Sequence, residues 1–67
     1  MGSVARITNI SARSEKSFDD AVRVGIERAN QTLRNVQGAW VKDQKVDVVD
    51  GKIVAFQVAM EVTFMLE

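Results

Sequence analysis

Trp40, Gln44, Gln57 and a run of aspartates are the side chains of this sequence best suited to hold a ligand. An indole offers a flat face for stacking, and a carboxamide offers both donors and an acceptor that read the edge of a planar heterocycle. Each also has an ordinary reading. A lone tryptophan on a sheet more often anchors a contact between subunits, and paired glutamines at such a contact satisfy one another. Asp43, Asp47 and Asp50 gather around one strand and its turn. Asp43 and Asp47 project to one side but stand about 13 Å apart along an extended chain. No EF-hand spacing accompanies them, so calcium has little support and solvated turn charges are the ordinary reading.

What the sequence lacks narrows the chemistry. Its 67 residues include no cysteine, histidine or proline, and nine basic side chains balance nine acidic ones. A Ser-His-Asp triad, a Cys-His pair, an imidazole proton shuttle and a Cys/His zinc site are all excluded. No carboxylate or lysine constellation stands in their place, so the chain is read as not an enzyme. Zero net charge argues against nucleic acid, whose phosphates call for clustered Lys and Arg. No run reaches the length of a membrane span or a signal-peptide core, and a cytoplasmic location is expected. Residues 1–67 form one domain, with Met1, Gly2 and Ser3 read in part as a cloning remnant. A chain of this length buries only about 60% of its unfolded surface. With disulfides and zinc unavailable, partner subunits are the remaining source of stability, and oligomerisation is expected.

The elements that position these side chains follow from periodicity. Val4 to Ala12 is rich in β-branched residues and roughly alternating, which predicts a strand. At Ser17 the period lengthens to that of a helix. Ser17 is a good N-cap, Asp20 completes a capping-box-like pattern, and Asp19 and Arg23 make an i,i+4 pair. Phe18, Val22, Ile26, Ala29, Leu33 and Val36 form one apolar stripe. The helix is predicted from Ser17 to Val36, about 30 Å long, with Gly38 just past its end. Period two then returns from Ala39, and Asp50-Gly51 signals a type I′ hairpin. That turn sets Val49 against Lys52, Gln44 against Gln57, Lys42 against Ala59 and Trp40 against Glu61. The last strand runs from about Lys52 to Leu66. The fold class is α+β, a β-α-β-β chain whose three-stranded antiparallel sheet wraps one helix.

Val54, Phe56, Val58, Met60, Val62, Phe64 and Leu66 make an unbroken apolar face that must meet the helix. The other face carries Ile53, Ala55, Gln57, Ala59, Glu61, Thr63 and Met65, beside Trp40, Lys42, Gln44, Val46 and Val48. No second helix exists to cover it. Trp40, Ile53, Val46, Val48 and Met65 would form a larger apolar patch than a monomer usually exposes, so other subunits are expected there. Asp43, Lys45 and Asp47 nominally fall on the helix side. Either the hairpin outruns the helix or a bulge shifts the register.

From Val4 to Glu67 the chain resembles the dodecins. The resemblance is carried by SEKSFDDAV opening the helix, ERANQTLRNV closing it and AFQVAMEVTF ending a Val-rich hairpin. It implies a β-α-β-β subunit assembled into a hollow homododecamer. It also implies flavins such as riboflavin or FMN bound in pairs between subunits, stored or sequestered and not transformed. A tryptophan early in the second strand would stack on the isoalloxazine and a glutamine of the third would bond its edge. Gln57 matches that glutamine, and Asp43 matches an acid that meets the flavin's polar tail. The stacking position falls on Gly38, nineteen residues before Gln57, while Trp40 lies two residues further on. The alternative is a flavin-free dodecamer, structural or associated with metal ions.

Overall fold

The computed structural model describes residues 2–66, so Met1 and Glu67 of the predicted single domain lie outside the described residues. Its elements are β1 (Ala5–Ser14), α1 (Phe18–Thr32), β2 (Val36–Val49) and β3 (Lys52–Met65). They form the expected three-stranded antiparallel sheet with one helix against it. β3 is the central strand, in the order β1-β3-β2.

Helix α1 begins where the capping residue predicts. Ser17 has extended backbone and its hydroxyl accepts from the Asp20 amide at 2.9 Å. The Asp20 carboxylate does not complete a capping box. It accepts instead from the Ser14 hydroxyl at 2.6 Å and from Arg23 at 2.6 Å. Arg23 therefore bridges Asp20 and Glu27 and leaves Asp19 aside, which corrects the predicted pair.

The helix is shorter than its apolar stripe predicts. It ends at Thr32, and Leu33 caps it with its amide on the Ala29 carbonyl at 2.8 Å. Asn35, at φ 58°, then takes the left-handed turn in place of Gly38. Asparagine enters that region more readily than most residues, which is why a glycine is not needed. Leu33 and Val36 thus leave the stripe, and Val36 opens β2. The face that packs centres on Ala21, Gly25 and Ala29, all buried. Gly25 permits the close approach. A Cβ there would stand 2.6 Å from the Met60 methyl and 2.9 Å from the Ala12 Cβ.

At the hairpin, Asp50 and Gly51 both have positive φ, as a type I′ turn requires. Fifteen helical residues span about 22 Å, whereas fourteen extended ones span about 46 Å, so the strands outrun the helix. Val58, Met60 and Val62 beneath it are fully buried. Phe56 meets Phe18, the first helical residue, edge to face at 5.2 Å. Val54 and Leu66, predicted in the core, remain 40% and 46% exposed because they lie beyond the two ends of the helix. Among the described residues, four of the seven buried apolar ones are alanines, so the core is thin. The radius of gyration of 13.9 Å exceeds the roughly 10.9 Å typical of a compact domain of this length.

Candidate functional site

The outer face of the sheet is set by two register shifts between β2 and β3, one with Lys42 as the extra residue and one with Val54. Trp40 pairs with Glu61 and Val41 with Met60, as the turn alone would dictate. The next pair is Asp43 with Ala59, so Lys42 is an extra residue. Beyond it Lys45 faces Gln57 and Asp47 faces Ala55. The predicted pairs Gln44 with Gln57 and Lys42 with Ala59 are therefore corrected. Gln44 pairs with Val58 and Val46 with Phe56, on the helix side of the sheet. Of the two readings left open for Asp43, Lys45 and Asp47, the bulge is the one that relocates them. It keeps three charged side chains off the apolar face, where an unpaired charge would be costly. The hairpin also outruns the helix, but that extension begins beyond Phe56.

Three rows then define the open face. Trp40, Glu61 and Asn9 make one, Asp43, Ala59 and Ser11 the next, and Lys45, Gln57 and Arg13 the third. Trp40 is 58% exposed. Ser11, Asp43, Gln44, Gln57 and Ala59 line a concavity of about 170 Å³, with the Gln57 amide donating to the Ser11 hydroxyl at 3.3 Å. Asp47 accepts from Arg13 at 3.3 Å and lies 3.6 Å from the Lys45 ammonium. Lys42 reaches back to Glu61 at 3.8 Å. Asp43 has no hydrogen-bond or ion-pair partner among the described residues, and its carboxylate at the concavity wall is able to accept from hydroxyl or N–H donors.

Gln57, Asp43 and Gln44 thus share one concavity, although Gln44 enters it from the helix-side row. Trp40 stands two rows from Gln57, about 13 Å along the strand. Gly38 pairs with Thr63, one row further out, and nothing lies within 4 Å of a Cβ built on it. Ser11, Arg13 and Lys45 were missed as part of this face. The signal for Ser11 and Arg13 was their alternation with Ile10 and Ala12. Placing them needed the pairing of β1 with β3, which only the observed strand order supplies.

Three strands on one short helix, with a polar concavity and an indole on the uncovered face, define a small α+β subunit. Its sheet is finished on one side only. The chain belongs to the dodecin family, whose model, described as Dodecin, matches residues 4–67. It is 30% identical over 67 residues to the dodecin of Thermus thermophilus, covering all of this chain and 97% of that protein. The structure of a dodecin from Streptomyces davaonensis superposes with a TM-score of 0.94 at 37% identity, covering 100% of this chain and 98% of that one. Calcium dodecin of Mycobacterium tuberculosis, a calcium-chelating antigen, matches with a TM-score of 0.82 at 27% identity, covering 97% of this chain and 93% of that one.

Proposed function

We propose that copies of this chain assemble into a hollow homododecamer in the cytoplasm. The outer sheet face binds a flat heteroaromatic small molecule, a flavin of the riboflavin or FMN type, for storage or sequestration and without catalysis. Trp40 supplies the stacking surface, and Gln57, Asp43 and Gln44 supply the polar contacts. Gly38 stands where relatives would place the stacking ring, so the ligand sits one row closer to Gln57. The observation that carries this reading is the concavity beside the exposed indole. At about 170 Å³ it falls below the roughly 300–1,000 Å³ of small-molecule sites, as expected of a site that a second copy completes.

Titration of riboflavin with the protein, followed by flavin fluorescence, tests it. Quenching is expected, and Trp40→Ala should weaken binding by about tenfold or more, the loss of roughly 1.4 kcal/mol of stacking and burial. Flavin that stays bright at micromolar protein would exclude the flavin.

The calcium-chelating relative and the free Asp43 support a second reading, a flavin-free assembly stabilised by a metal ion. Among the described residues no three acids gather at one point, so any such site takes ligands from several copies. A chelator should then lower the melting temperature; an unchanged value removes this reading.

A further inference from the structure

The hairpin tip is apolar on both sides. Val48, Val49 and Ile53 are 56–57% exposed and Val54 40%, because the tip lies past the helix end marked by the Phe18–Phe56 contact. A surface that covers one side of it would leave the other wet. Elsewhere on the same chain, α1 and β1 enclose a groove of about 390 Å³. Ile10, Ala12, Val24 and Ala29 give it a mainly apolar lining, which Ser11, Arg13, Arg28 and Thr32 complete. The chain cannot fill its own groove. β3 carries the tip onward past Phe56, whose partner is Ser14 at the end of β1, so the tip points away from it.

We propose that the tip of the β2–β3 hairpin of one copy seats in the α1–β1 groove of the next. This rests on the assembly reading above. Charge fits as well as shape. The Asp50 carboxylate at the apex makes no hydrogen bond or ion pair among the described residues, and Arg28 of the groove has only a 3.5 Å hydrogen bond to Gln31. A second copy is the occupant because every chain brings one tip and one groove in equal number. The two surfaces differ, so the contact is head-to-tail, and within a closed cage its repetition must return to the first copy as a ring.

The absence of native cysteine makes the test clean. In a Val24→Cys, Val49→Cys double variant of the full chain, a short bis-maleimide should link tip to groove from copy to copy. A denaturing gel then shows a ladder that stops at the ring size. Either single variant can give two linked chains at most. A double variant that assembles by light scattering yet yields nothing above two linked chains overturns the contact and leaves the assembly standing. A double variant that does not assemble is replaced by a charge exchange. Arg28→Glu and Asp50→Arg should each weaken assembly and together restore it; failure of the pair to restore what each removes overturns the proposal. Loss of assembly in the unsubstituted chain would instead refute the cage.

Discussion

Position 38 carries the sharpest residue-level test. On the proposed reading Gly38 lies where a stacking ring is missing, and nothing lies within 4 Å of a Cβ built there. A side chain can therefore start from that position without a clash at its Cβ. Gly38→Trp should tighten riboflavin binding by about tenfold or more, the scale of one added aromatic contact with its buried area. An unchanged dissociation constant, measured by fluorescence titration, would show that Trp40 alone sets the ligand's row. Asp20 offers a test away from the site. The Ser14 hydroxyl first, and then Arg23, hold its carboxyl below its ordinary value of 3.8. The charged form is thus favoured by folding. Its contribution is complete above the unfolded value and is lost as pH falls through the lower folded one. Asp20→Asn should lower the melting temperature at neutral pH and flatten its decline below about pH 4. A parallel decline in both proteins would dissociate Asp20 from acid unfolding. The capping serine was plain in the sequence. The partners of Asp20 were not, because Ser14 reaches it across a turn whose path the spacing does not specify.

Among the elements, β2 decides what the site contains. Its alternation reads without interruption in the sequence, which placed Trp40 and Gln44 on one face and Asp43 with Lys45 on the other. The extra residue at Lys42 reverses that assignment from Asp43 to Asp47, and a second shift between Asp47 and Val48 restores the turn's register at Val48 and Val49. Disturbing the ladder there forfeits on the order of 1 kcal/mol of hydrogen bonding. Holding Asp43, Lys45 and Asp47 on the helix side would cost more, since an unpaired buried charge costs several kcal/mol. The balance was visible in the charges, but its location was not, because it depends on how far α1 reaches along β3. Deleting Lys42 removes the extra residue and leaves the second shift, at Val54 of β3, without the one that compensates it. A loss of about 2 kcal/mol or more is expected, which for a domain of this size lowers the melting temperature by on the order of 10 °C. Lys42→Ala keeps the extra residue and should stay within about 0.5 kcal/mol of the parent. Calorimetry of both variants separates the two effects. Equal melting temperatures would mean that the bulge has no part in setting the register.

At the scale of the whole molecule, the accessible surface of 5051 Å² is compared with roughly 4,200 Å² for a compact monomer of 7.4 kDa. The excess is what an elongated sheet on a short helix leaves uncovered. The need for partners was already legible in the length and in the missing cysteine and histidine. Zero net charge removes long-range repulsion between copies, so association is limited by contact and not by charge. The number of copies is not encoded in any local pattern, since it follows from the angles at which distant surfaces meet. Ala59 is the position where this can be probed most directly. It is half-buried on the open face between Ser11 and Asp43, and its small side chain lets another backbone or a flat ligand come close. Ala59→Arg places a long charged group there, with its nearest carboxylate, Asp43, unable to neutralise it beneath a covering subunit without displacing that subunit. Light scattering should show the dodecamer mass replaced by smaller species, while far-UV circular dichroism stays that of the parent because the Ala59 side chain lies off the helix side. If the full assembly persists in the Ala59→Arg variant, the open face is not where copies meet, and the concavity between Asp43 and Gln57 faces solvent in the finished particle.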